Sequence, residues 1–130
     1  MGSFPITTLY AGILGLLLMV LTARVIKVVR IKGGVSRGDG GNPEFFEIIR
    51  GQGNFVEFVP ITLVLIALTE ASGNPSWLIH TLGAALVAAR IAHPLGLKAA
   101  NKPTALRFLG AVGTFLIVIV ASTACILASF

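Results

Sequence analysis

Residues 43–60 read Pro43-Glu44-Phe45-Phe46-Glu47-Ile48-Ile49-Arg50-Gly51-Gln52-Gly53-Asn54-Phe55-Val56-Glu57-Phe58-Val59-Pro60. At about 100° per residue, steps of four and three place Arg50, Asn54 and Glu57 within about 60° of one another on a helix. Glu47 extends the stripe by one turn. The stretch also carries its own start signal, with Asn42 as N-cap, Pro43 in the first helical position, and Glu44 and Glu47 in the positive first turn. The helix should run to about Thr69, before the turn-rich segment from Glu70 to Ser76. About 27 residues at 1.5 Å each give about 40 Å, so its first turns project beyond a bilayer's hydrocarbon. Pro60 should kink it.

The rest of the chain shows why charges here are unusual. Of 130 residues, 55% are hydrophobic and 12% charged, with a mean hydropathy of +0.94. So short a chain has too little polar surface to coat a water-soluble particle, which excludes both disorder and a soluble enzyme domain. It reads instead as one all-α domain over residues 1–130, an integral membrane four-helix bundle. The expected spans are about 4–26, 44–69, 76–93 and 104–130. Met1 to Ala23 carries no charge, and basic residues follow this span rather than precede it, which opposes a cleaved signal peptide. Trp77 suits an interface, and the fourth helix, beginning near Pro103, offers Gly110, Gly113 and Ala121 for close packing.

Ten Lys and Arg outnumber five Asp and Glu, for a net charge of +5. They form no nucleic-acid stripe. Arg24, Lys27, Arg30, Lys32, Arg37 and Arg50 surround the first connection, and Arg90, Lys98, Lys102 and Arg107 the third. The positive-inside rule therefore places both connections in the cytoplasm and both termini on the opposite side.

Charged groups within a span face a bundle interior, a subunit interface or a water-filled cavity. Arg50 for a carboxylate, Glu57 for an ammonium and Asn54 for an amide would make a pocket for a zwitterionic ligand. The competing reading is an Arg–Glu pair that only glues helices. Gly51 and Gly53 follow no strand and so form no phosphate loop; they suit close helix approach. The lone Cys125, deep in the last span, is expected to be a protonated, inert thiol. No metal site is expected. Lys32 to Gly41 is a Gly-rich basic connection suited to surface linking and attraction to membrane lipids.

The string Arg50-x-x-x-Asn54-x-x-Glu57-Phe58-x-Pro60 after Pro43-Glu44-Phe45 resembles the second-helix signature of the MAPEG superfamily, the membrane-associated proteins of eicosanoid and glutathione metabolism. Arg24-Val25 with Arg30, Arg90-x-x-His93-x-x-Gly96, and Arg107 extend the likeness over nearly the whole chain. The resemblance implies a homotrimer that binds glutathione as co-substrate between subunits, at the cytoplasmic leaflet. Arg50, Asn54 and Glu57 would hold its charged and amide groups, with Gln52 and Arg30 reaching in from a neighbour. Arg90 and His93, at the end of the third helix, would join the glutathione-binding set, and Arg107 would face the thiol as the catalytic residue. Phe58, His93 and Leu97 stand where leukotriene-type members carry tyrosine. His93 could replace one hydroxyl as a donor, but a histidine beside a proline at a helix end reads first as a solvated C-terminal residue. His80, near the other end of that helix, is expected to anchor at the interface.

The implied activity is a multi-pass membrane glutathione transferase that acts on hydrophobic electrophiles from the lipid phase, with peroxide reduction as a second use of the thiolate. One alternative is a non-catalytic scaffold of the same fold that binds lipid or protein. The other is a small four-span exporter, which would need a carboxylate in the first span; none is there.

Overall fold

The computed structural model describes residues 4–97 and 104–130. Lys98, Lys102 and the expected helix start at Pro103 lie outside the described residues. Four helices run up and down: α1 (Pro5–Arg24), α2 (Pro43–Ala71), α3 (Ser76–Leu95) and α4 (Ala105–Leu127). Each is long and apolar enough to cross a membrane, and among the described residues there is no strand.

The first helical course is longer than expected. A π-helical segment, Val25–Lys32, continues α1, and the Gly33 amide closes it by donating to the Val28 carbonyl at 3.0 Å. The following loop is pinned rather than loose, because the Arg30 guanidinium donates to the carbonyls of Val35 (3.0 Å) and Gly38 (2.8 Å).

Asn42 caps α2 as its sequence predicts, its Oδ1 accepting from the amides of Glu44 (2.9 Å) and Phe45 (3.3 Å). The helix continues through Pro60 and passes Thr69 to end at Ala71. Those two extra residues bring Glu70 to the start of α1. Its carboxylate accepts from the amides of Ile6 and Thr7 (2.8 Å each) and from the Thr7 hydroxyl (2.6 Å). α1 has no side-chain cap of its own, so an anion from α2 satisfies its positive end.

α3 runs through Pro94 to Leu95. In the last turn the missing proline N–H leaves only one carbonyl without its helical donor. α4 starts under a hydroxyl clasp. Thr104 Oγ1 accepts from the Arg107 amide (3.2 Å) and donates to the Gly96 carbonyl (2.6 Å). A Cβ on Gly96 would fall 2.6 Å from Thr104 Oγ1 and 2.8 Å from Arg107 Cα, so only glycine admits the clasp.

The core is a column of Leu14, Leu21, Phe55, Val59, Ile66, Ile79, Leu82, Leu86, Ile117 and Ala121. Large apolar side chains such as Leu16, Met19, Ile61, Val64, Leu116 and Ile119 are exposed, as a lipid-facing surface requires. Buried Thr62, Thr69 and Thr114 return their hydroxyls to carbonyls four residues back at 2.6, 2.8 and 2.8 Å.

Glycines bring the helices together, as expected for the last span. At Gly110 a Cβ would lie 2.7 Å from both Cβ and N of His93. Gly110→Ala is therefore expected to part α3 from α4. Overpacking of about 1–3 kcal/mol exceeds the roughly 1 kcal/mol of helix propensity gained. At Gly113 the same atom meets Ala89 Cβ at 3.4 Å, so Gly113→Ala should hold or raise the thermal midpoint in detergent while Gly110→Ala lowers it.

Two single-residue expectations are revised, those for Gly53 and Cys125. Gly51 does sit at a close approach, its virtual Cβ 3.4 Å from Leu97 and 3.5 Å from Pro94, whereas Gly53 meets only the Arg50 guanidinium at 3.3 Å. Cys125 is half-buried in the last turn of α4 rather than deep in a span, and its thiol donates to the Leu65 carbonyl at 3.4 Å. His80 is exposed, its Nδ1 3.0 Å from the Tyr10 hydroxyl.

Candidate functional site

The basic end of the bundle gathers the end of α1 with its π extension, the start of α2, the end of α3 and the start of α4. Here the stripe on α2 is realised. The Arg50 guanidinium grips Glu57 with two bonds, Nη1 to Oε1 at 3.0 Å and Nη2 to Oε2 at 3.2 Å. Both side chains lie on the outward face, 41% and 51% exposed, while Ile48, Gly51, Phe55 and Val59 turn inward. Half-buried Asn54 flanks the pair. A parallel two-bond grip is the strongest pairing that arginine and a carboxylate make.

Glu47 lies at the edge of this face rather than beside the pair. With Arg24, Glu44, Leu21, Ile48, Gly51, Pro94 and Leu97 it lines a cavity of about 40 Å³ between α1, α2 and α3. Gln52 lies about 160° around α2 from Arg50 and does not meet it within one chain. Arg30 also stays apart, held by its own loop.

His93 is 5% exposed, so the solvated reading is wrong for it. Close packing of Gly110 against its backbone and Cβ covers the helix end that periodicity alone would leave open. Arg90, one turn earlier, is fully buried. Its Nη1 donates to Thr114 Oγ1 at 3.4 Å, and its guanidinium lies 5.8 Å from the Phe55 ring centroid. Arg90 Nε, Arg90 Nη2 and His93 Nδ1 have no partner among the described residues. Because Phe55 belongs to the inward face of α2, the structure does not bring Arg90 to the outward pair.

Arg107 extends from the first turn of α4 with its side chain exposed and its backbone fixed by the Thr104 clasp. Phe58 packs its ring 5.5 Å from that of Phe115 on α4. The side chain that stands in a tyrosine position therefore serves the α2–α4 contact. Together these residues make a cationic, partly desolvated end of the bundle, suited to anionic groups of a polar ligand, beside apolar faces that a lipid-borne molecule can reach.

Comparison with known proteins bears on what this end is for. A family model described as MAPEG family matches residues 7–127. The chain is also similar to "Inner membrane protein YecN" of Escherichia coli K12 and to the protein of the same name in E. coli O6:H1 strain CFT073. Each is 38% identical over 91 residues, 70% of this chain and 69% of the relative.

Proposed function

The chain belongs to the MAPEG family, and from that membership we propose that it is a membrane glutathione transferase. The observation that carries this reading is the outward set of Arg50, Asn54 and Glu57 on one face of α2, at the same bundle end as His93 and Arg107. Glutathione lies against this face between subunits of a homotrimer, with Arg30 and Gln52 supplied by the neighbour and with Arg90 and His93 buried behind it. Arg107 faces the thiol. A free thiol of pKa about 8.5 is only a few per cent ionised at pH 7, and the thiolate is the nucleophile. A guanidinium stays protonated and so stabilises the thiolate without competing for its proton. The sulfur then forms a bond to the electrophilic carbon, the leaving group departs with its bonding electrons, and the thiol proton goes to water. Open apolar helix faces let hydrophobic electrophiles arrive from lipid.

The grouping of the basic residues supports a cytoplasmic site and external termini, and likeness to an inner membrane protein supports placement in a bacterial inner membrane. A reporter active only in the cytoplasm, fused after Phe130, should therefore stay silent. Activity there would overturn the orientation.

One observation favours a second reading, a non-catalytic scaffold: Arg50 and Glu57 bond to each other through both guanidinium nitrogens and both carboxylate oxygens. Isothermal titration of glutathione, then S-hexylglutathione, into the detergent-purified protein separates the two. Saturable binding of both supports the transferase, and no heat from either leaves the scaffold.

A further inference from the structure

We propose that Thr104 is a positioning residue for Arg107, its hydroxyl holding the start of α4 against the end of α3 so that the guanidinium is presented from one fixed point. This deepens the transferase reading and rests on Arg107 facing the thiol. Thr104 Oγ1 makes two bonds at once, accepting from the Arg107 amide at 3.2 Å and donating to the Gly96 carbonyl at 2.6 Å. The first is what any helix cap does. The second serves no orphan group of α4; it ties the cap to a carbonyl eight residues earlier, at the C-cap of α3. Gly96 lets the two ends touch, since a Cβ there would fall 2.8 Å from Arg107 Cα. That end of α3 is itself held, because Gly110 packs on His93 one turn earlier.

The Arg107 side chain has no such support. It is exposed, and among the described residues no hydrogen bond or ion pair holds its guanidinium. A long side chain without partners of its own presents its charge only as accurately as its Cα is held. A misplacement of about 1 Å can lower a rate about 100-fold, and a cation stabilises an anion less as it retreats. A residue that only started the helix would need no bond to Gly96.

The test compares Thr104→Val, which keeps the shape and removes the hydroxyl, with Thr104→Ser, which keeps the hydroxyl. Turnover of chlorodinitrobenzene per folded protein, glutathione affinity and the ultraviolet titration of the bound thiolate are measured for each, alone and combined with Arg107→Ala. Thr104→Val should lower turnover by about tenfold or more while affinity changes by less than about threefold. Its thiolate titration should move to higher pH, and Thr104→Ser should restore both. Beside Arg107→Ala, Thr104→Val should lower turnover no further, because two residues that act through one group are not additive. A lowered thermal midpoint with turnover and titration unchanged makes the hydroxyl a helix cap and overturns the positioning role. So does a loss that persists in full beside Arg107→Ala, which leaves the thiolate role of Arg107 standing. If the wild type leaves chlorodinitrobenzene unreacted, the thiolate titration decides alone. If Thr104→Val does not fold, Thr104→Gly replaces it, since glycine starts a helix nearly as well as threonine and lacks the hydroxyl; if neither folds, the residue is structural and the proposal is overturned. If the wild type binds no glutathione, the transferase reading fails and the positioning role falls with it.

Discussion

Arg107→Ala is expected to lower turnover per folded protein by about 100- to 1,000-fold, the range for removing one preorganised donor from a developing anion. Glutathione affinity should change far less, because the guanidinium's interaction grows as the thiol proton leaves. The backbone of Arg107 is fixed independently of its side chain, through the bond from its amide to Thr104 Oγ1 at 3.2 Å. Truncation should therefore leave the start of α4 in place. The sign with pH follows directly. If Arg107 stabilises the thiolate, the bound thiol has a lowered pKa, and removing the cation raises it towards about 8.5, the value of a free thiol. At neutral pH the variant then has less thiolate, and its rate should climb as pH rises through that value. Ultraviolet absorbance of the bound thiolate should titrate with it. Arg107→Lys should recover only part of the rate, because an ammonium lacks the planar fork of donors. Reduced expression with unchanged turnover and an unshifted thiolate titration would instead show that Arg107 only anchors at the headgroups.

What the sequence makes legible here is what depends on neighbours within a few turns. The Asn42 cap, the four spans and the shared face of Arg50, Asn54 and Glu57 are local facts of periodicity, and the structure has all three. Glu70 is different: it serves amides 64 and 63 residues earlier, and nothing in a turn-rich segment signals an anion needed at the far end of α1. The burial of Arg90 and His93 is hidden from the sequence for a related reason. Spacing puts them on one face of α3, but their burial depends on Gly110 of α4, which admits His93 at a distance no side chain would permit. Periodicity also names the residues of the outward stripe without saying that Arg50 turns to Glu57, two turns on, instead of to another helix.

Arg50→Ala is the variant on which the glutathione site depends most. It removes the carboxylate's partner, and among the described residues Glu57 bonds to no other side chain. Glutathione affinity should fall by about tenfold or more, as when one truncates a partner of a charge pair that the ligand and the neighbouring subunit of the proposed homotrimer desolvate. The inward side of α2 should be indifferent. Ile48, Phe55 and Val59 remain buried whichever residue stands at 50, so the protomer should keep its fold, and the proposed homotrimer is expected to keep its size in detergent. Affinity lost at unchanged assembly is the signature of a ligand site; assembly lost before affinity can be measured is the signature of glue. Glutathione titration and light scattering on the same preparation read the two separately. If Arg50→Ala binds glutathione as the wild type does, the stripe is not the site. Arg90, His93 and Arg107 would then have to hold the ligand without it, and the exposed guanidinium on α2 would serve only to neutralise Glu57.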